Sequence, residues 1–189
     1  QGAMGGHLRY LVRRLWPILI PGVVFTWVTS TALTIGPLPI FVVLLGVAIL
    51  TYSGSSLVGL KVPDPGERER WLSPVIGSVS GAIGGVTGIF VMPAVDYLRA
   101  LGLSRDQLIQ AMGIWFTVAT LGLGGALGHH GLLTGSLGLL SGVGIVPAFV
   151  GMMIGQRLRT RLSPEVFRMV LLSGLCVLGF YFIVTGFIS

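Results

Sequence analysis

The sequence has few charged residues and almost no cysteine. Asp, Glu, Lys and Arg make up 10% of its 189 residues, whereas a soluble domain carries about a quarter of its residues as these types. So few charges could not cover the surface of a water-soluble globule of this size, which excludes an ordinary soluble enzyme and a disordered segment. The single cysteine, Cys176, permits no intrachain disulfide, which excludes a disulfide-stabilised secreted domain.

Catalytic and cofactor motifs are also missing. The sequence contains no His-Glu-x-x-His pair, no Gly-x-Ser-x-Gly elbow and no Walker-type Gly-Lys-Ser/Thr. The adjacent His129 and His130 have no third ligand nearby in the sequence, so they do not predict a metal site. We therefore expect no enzymatic activity, no metal and no cofactor.

The net charge of +6 does not predict nucleic-acid binding, because the basic residues lie in small groups between long apolar runs, as in bilayer proteins. Each of five apolar runs is long enough to cross hydrocarbon, which takes about 20 residues. The runs are Leu15–Ile35, Leu38–Leu60, Leu108–Leu127, Leu132–Gln156 and Val166–Ile188. The sequence therefore predicts an all-α, polytopic helical membrane protein in contact with the lipid bilayer.

A sixth apolar region, Leu72–Leu103, is too long for one comfortable span and is interrupted in its middle by glycine. Three glycines within five residues, Gly84, Gly85 and Gly88, would each cost about 1 kcal/mol in a helix interior relative to alanine. Together with the following Pro93 they favour two half-length helices joined by an irregular apex. The alternative interpretation is that the glycines only let another helix pack closely.

Charge placement indicates whether this broken segment crosses the membrane. If it crosses, the twelve Lys and Arg residues divide equally between the two faces. If it is re-entrant, all of them lie on one face, and the opposite face carries only apolar or uncharged connections. Cytoplasmic loops are enriched in Lys and Arg, so we predict a re-entrant hairpin and a cytoplasmic charged face.

Two parts of the chain resemble each other in the same order. The matching segments are Gly2–Gly5 with Gly125–Gly128, Ile18–Gly22 with Gly144–Ala148, and Gly36–Gly46 with Ser163–Gly174. Such repeats are common in transporters. We predict that residues 1–62 are the remainder of a first repeat with two spans, 63–71 a cytoplasmic linker loop, and 72–189 a second repeat with the hairpin and three spans.

One hairpin and three spans give an odd number of crossings, so the two repeats are expected to have inverted topology. The first-repeat counterparts of Leu72–Leu103 and Leu108–Leu127 would precede Gln1. We therefore expect the chain to lack an N-terminal segment or to be completed by a partner chain.

The glycine-rich break and the span after it resemble the TauE/SafE family of membrane permeases. The similar portions are Gly81–Ala94, Leu98–Leu103 and Gln110–Thr120. The resemblance implies a secondary carrier that exports or exchanges sulfur-containing anions, such as sulfite or small organosulfonates, across the inner membrane. Family members carry the hairpin motif in both halves, whereas this sequence carries only the second copy.

An anion in the membrane needs positive potential, which the N–H groups at a helix N-terminus can supply. We expect the returning limb to begin at Thr87 and Gly88, with Gly84 and Gly85 allowing close approach of the backbone to the anion. The Thr87 hydroxyl is an additional candidate donor. Gln110 and Thr117 share a face of the next span and are candidate substrate ligands, although such residues also act as interhelical hydrogen-bonding groups.

Asp96 is the one acid inside an apolar run, and such carboxylates often have a functional role. Its two interpretations are coupling to a proton or another ion, and a local ion pair with Arg99. Pro93 is a candidate gating residue at the same limb. The alternative function is a non-transporting membrane subunit, or a fragment that needs a partner chain to complete the carrier.

Overall fold

The structure, a computed structural model, describes residues 8–59, 63–132, 135–161 and 163–188. Within these ranges the chain forms eight α-helices and no strand, which confirms the predicted all-α class. The helices are α1 (Leu8–Ser30), α2 (Ala32–Ile35), α3 (Leu38–Val58), α4 (Glu69–Thr87), α5 (Ala94–Ala100), α6 (Arg105–His129), α7 (Gly135–Arg161) and α8 (Pro164–Ile188).

Five helical segments are long and apolar enough to cross a membrane, and they correspond to the five predicted spans. They are Leu8–Ile35, Pro39–Val58, Arg105–His129, Ser141–Leu158 and Glu165–Ile188. The first of them contains two helices, because a turn at Thr31 separates α1 from α2.

Side-chain caps set two of the helix starts. α6 begins with a capping box in which the Ser104 hydroxyl accepts from the Gln107 N–H at 3.3 Å and the Gln107 side chain accepts from the Ser104 N–H at 3.1 Å. At the start of α8 the Ser163 hydroxyl accepts from the Val166 N–H at 3.3 Å, as an N-cap residue does.

α1 and α4 run in the same direction and pack closely along glycines of α4. A Cβ on Gly77 would overlap the carbonyl oxygen of Ile18, and a Cβ on Gly81 would overlap that of Gly22. The Thr26 hydroxyl lies 2.8 Å from the Gly22 carbonyl oxygen and 3.1 Å from that of Gly81. Backbone-to-backbone contact of this kind is typical of membrane helices that associate through small residues.

α6 packs beside α1, also in the same direction. Gly125 of α6 faces the ring of Trp27. At the far end of the two helices, His130 Nε2 lies 3.2 Å from the Thr31 hydroxyl. α1, α4, α5 and α6 therefore form one packed group with α1 in its interior, where Leu11, Leu15 and Ile18 are buried.

α3 and α8 form a second group and run antiparallel. Gly46 packs against the backbone of Gly179, and the Cys176 thiol lies 3.1 Å from the Ser53 hydroxyl. At the end of α3 the Arg168 guanidinium donates to the Ser56 carbonyl oxygen. The start of α8 therefore lies on the same side of the molecule as the end of α3.

α7 contributes almost nothing to either group. Every residue from Ser141 to Leu158 is exposed except the half-buried Gly155. The apolar surface of α7 therefore faces lipid or another membrane protein, since water would not tolerate a fully exposed apolar helix of this length.

The glycine contact between α1 and α4 predicts a matched pair of alanine variants. Gly81→Ala should lower the free energy of unfolding by about 1–3 kcal/mol, because the added methyl group overlaps the backbone of α1. Gly124→Ala is the control: its Cβ would have no neighbour within 4 Å, and alanine should stabilise the helix by up to about 1 kcal/mol. Unfolding in detergent measures both, and a Gly81→Ala protein as stable as wild type would contradict the close packing.

Candidate functional site

The broken segment turns back and returns to the face at which it started. α4 ends at Thr87 and is capped by Gly88, whose φ of 74° lies in the left-handed region that favours glycine. The Tyr97 hydroxyl, near the end of the returning limb, lies 2.7 Å from the Ser73 hydroxyl and 3.3 Å from the Glu69 carbonyl oxygen, both near the start of α4. The segment is therefore a re-entrant hairpin, as predicted.

The two limbs differ from the predicted pair of half-length helices. α4 has 19 residues and a length of about 29 Å, close to the hydrocarbon thickness of about 30 Å. The returning limb is not a half-length helix either, because residues 88–93 are non-helical and only Ala94–Ala100 form α5.

Buried contacts hold the non-helical part of the returning limb. The Trp115 indole N–H donates to the Phe90 carbonyl oxygen at 2.8 Å, and both residues are buried. Irregular backbone at membrane depth occurs only where protein or a water-filled cavity satisfies it. Phe90, Ala94 and Leu98 continue this contact into the core between the hairpin and α6.

One arginine joins three parts of the chain at the charged face. The Arg14 guanidinium of α1 donates to both carboxylate oxygens of Glu69 at 2.8 Å, at the start of α4, and to the Leu101 carbonyl oxygen at 3.3 Å, just after α5. The bidentate geometry makes this a strong charge-assisted pair. The start of α1, the start of α4 and the end of the hairpin therefore lie together.

The predicted start of the returning helix at Thr87 and Gly88 is wrong, because α4 continues to Thr87 and the next helix begins at Ala94. Gly84 and Gly85 lie inside α4 and are buried. A Cβ on Gly84 would overlap the Phe90 ring, and one on Gly85 the Thr29 hydroxyl. The alternative interpretation is therefore correct for Gly84 and Gly85: they allow neighbouring segments to pack closely against α4.

The remaining candidate residues do not lie together. The Thr87 hydroxyl donates to the Ile83 carbonyl oxygen at 2.7 Å and accepts from the Ile89 N–H at 3.2 Å. Gln110 is 2% exposed within the core. Thr117 is exposed on α6, and its hydroxyl donates to the Gly113 carbonyl oxygen at 2.7 Å.

Asp96 and Arg99 form the local ion pair that was one of the two interpretations of Asp96. The Arg99 Nη1 to Asp96 Oδ1 distance is 3.4 Å, and the side chains are 59% and 29% exposed. A long, exposed pair of this kind is weak. Pro93 lies on the wall of the inner cavity described next.

Two cavities follow the crevice between the hairpin and α3. The outer cavity has a volume of about 650 Å³ and opens at the charged face; its polar and charged lining residues are Tyr52, Ser56, Asp96, Arg99 and Arg168. The inner cavity has a volume of about 570 Å³ and an almost wholly apolar lining from α3, α4 and residues 89–93. Of the six candidate substrate-binding residues, Thr87 alone lines either cavity.

The outer cavity contains charged residues that the sequence did not single out as a site. Arg99 was considered only as a partner of Asp96, and Arg168 only as one charge of the basic face. Their one local signal is a basic residue near the end of a helix: Arg99 lies in the last turn of α5, and Arg168 lies in the second turn of α8. Their position on the walls of one cavity depends on where the hairpin lies relative to α3 and α8, which no local pattern indicates.

Comparison with known proteins identifies a family. The family model described as sulfite exporter TauE/SafE matches residues 2–182. This range contains the hairpin and the lining of both cavities. No curated protein and no solved structure matches the chain.

The pairing of Arg14 with Glu69 predicts that Arg14→Gln lowers the free energy of unfolding by about 2 kcal/mol, because Glu69 loses a charge-assisted partner in a half-buried position. The neighbouring Arg13 is exposed, so Arg13→Gln should stay near wild type and controls for the lost charge. Equal stability of the two variants in detergent would show that the Arg14 contacts do not hold the hairpin.

Proposed function

Because the chain belongs to the sulfite exporter TauE/SafE family, we propose that it is a secondary permease that exports small sulfur-containing anions, such as sulfite or organosulfonates. In this proposal the chain lies in the inner membrane, with its charged face in the cytoplasm. The observation that carries the proposal is the family match over residues 2–182, which contains a hairpin beside a crevice that opens at the charged face. Transport, rather than catalysis, is the activity of such a family.

The crevice between the hairpin and the α3–α8 pair is the proposed route of the anion. Its outer cavity carries two arginines, which attract anions from the charged face. Its inner cavity is lined mainly by apolar side chains, including Val47, Ile83 and Val86. Moving a charged solute into such surroundings is costly, so this conformation holds the inner part closed to anions.

Transport therefore requires the hairpin and the α3–α8 pair to separate along the crevice. Thr87 and Gly88 lie at the apex, and Thr87 is on the wall of the inner cavity. We retain these two residues as the candidate substrate contacts. In this proposal Gly84, Gly85 and Gln110 support the hairpin through packing.

A proton or another ion is the proposed coupling partner. Asp96 lies on the wall of the outer cavity, where protons from the cytoplasm would reach it. Its pairing with Arg99 also gives it a structural role, so its part in coupling stays a prediction.

A second candidate function is a membrane subunit that transports only with a partner. The exposure of α7 favours it, because an apolar helix that is almost wholly exposed from Ser141 to Leu158 offers a surface for another membrane protein. The internal repeat also supports this second function. Ile18–Gly22 of α1 resembles Gly144–Ala148 of α7, and α1 is packed between α4 and α6. By analogy, α7 would pack against helices of a partner.

Reconstitution tests the proposed function directly. Liposomes that contain the purified chain and internal radiolabelled sulfite should release it faster than protein-free liposomes. Release equal to that of protein-free liposomes would contradict transport by this chain alone. Release that appears only after co-expression with a second membrane protein would support the second candidate function.

The proposed route predicts that Thr87→Val reduces sulfite flux severalfold, because it removes the hydroxyl that bridges Ile83 and Ile89 beside the inner cavity. Thr117→Val makes the same chemical change on the exposed face of α6 and should leave the flux near the wild-type value. Flux in the liposome assay compares the two variants. A larger loss in Thr117→Val than in Thr87→Val would place the route on the other side of α6.

A further inference from the structure

We propose that Arg99 and Arg168 form a capture site for a small oxyanion in the outer cavity, at the charged-face end of the crevice. Arg99 belongs to the hairpin, and Arg168 belongs to α8. The class of ligand is taken from the proposed function, so this proposal rests on the proposed function. A single bound anion would then be held from both sides of the crevice.

The size and shape of the cavity suit a hydrated anion. Its volume of about 650 Å³ equals roughly twenty waters at about 30 Å³ each. An oxyanion can therefore enter with part of its hydration shell, so the desolvation cost at this first step is low. The cavity walls come from α3, α5 and α8, which are fixed by the packing described above.

The charges that face the cavity leave an excess of positive charge. Among the described residues they are the guanidinium groups of Arg99 and Arg168 and the carboxylate of Asp96. Arg99 is 59% exposed, and its 3.4 Å bond to Asp96 is long for a charge-assisted bond. Arg99 can therefore exchange this weak partner for an entering anion at little cost.

Arg168 is held in place by a neutral group. Its guanidinium donates to the Ser56 carbonyl oxygen at the end of α3, and a guanidinium has further N–H donors to offer. In the described part of the chain no carboxylate lies within 4.0 Å of it. Arg168 is therefore both positioned and available for an anion, and arginine matches an oxyanion by bidentate hydrogen bonding.

A hydroxyl group completes the set of donors. Tyr52 of α3 lies on the cavity wall and is half-buried. Among the described residues its hydroxyl makes no hydrogen bond, so it is free to donate to an anion between the two arginines. The cavity thus presents donors from all three of its walls.

The competing interpretation is purely structural. Arg168 would then only cap the C-terminal carbonyls of α3, which a cation stabilises, and Arg99 would only pair with Asp96. Loss of either arginine could also disturb folding. The test therefore includes Asp96→Asn, which should improve anion capture, because a folding defect cannot explain a gain.

The experiment measures the KM for sulfite in proteoliposomes and the Kd for sulfite of the purified chain in detergent. Arg99→Gln and Arg168→Gln should each raise both constants about tenfold, the loss expected for one charge-assisted hydrogen bond. Asp96→Asn should lower them about threefold, in line with the release of a weak exposed pair. Arg105→Gln and Asp106→Asn change the same charges at the start of α6, outside this cavity, and should leave both constants unchanged.

Four outcomes are distinguishable. Transport by wild type with the expected shifts supports the capture site. Transport with equal constants in the Arg99, Arg168 and Arg105 variants overturns the site and leaves the proposed function standing. If wild type does not transport sulfite, the proposed function fails, and the Kd values alone decide: weaker binding only in the Arg99 and Arg168 variants supports the site, and equal binding overturns it.

Discussion

The hairpin depends on the Arg14 guanidinium, which binds the Glu69 carboxylate and the Leu101 carbonyl oxygen at once. Because one planar group reaches both, the first residue of α4 and the end of the returning limb must lie at the same face as the start of α1. The Tyr97–Ser73 hydrogen bond joins the two limbs of the hairpin deeper in the molecule. Together these contacts fix the end of the non-helical return, which forms one wall of the crevice.

Glycine determines where the crevice can form. α4 presents Gly77 and Gly81 to α1, and α3 presents Gly46 to α8, so each pair approaches to backbone contact. The α1–α4 pair and the α3–α8 pair are each closely packed, whereas the crevice between the two pairs is packed more loosely and contains both cavities. In the proposed export, the arginines at the outer end would first attract the anion, and the apolar lining of the inner end would then be the barrier to its passage.

The sequence was sufficient for the spans and the re-entrant path, because bilayer thickness and charge placement constrain both strongly. It was not sufficient to predict where the helices of the hairpin begin and end. Gly84 and Gly85 reduce helix propensity, yet packing against Phe90 and Thr29 offsets that cost and keeps α4 helical to Thr87. The cavity with Arg99 and Arg168 could not be predicted either, since these residues are distant in the chain and meet only through tertiary packing. The repeat and its inverted topology stay predictions, which the antiparallel α3–α8 pair accommodates.

Side-specific labelling tests the central claim that the hairpin returns to its starting face. Single cysteines replace Glu67, Arg105 or His129 in a Cys176→Ser background, and each variant is treated with a membrane-impermeant thiol reagent in intact cells and in inverted vesicles. Glu67→Cys and Arg105→Cys, which flank the hairpin, should react from one side, and His129→Cys, at the other end of α6, from the opposite side. Reaction of Arg105→Cys from the same side as His129→Cys would contradict the re-entrant path and the crevice with it.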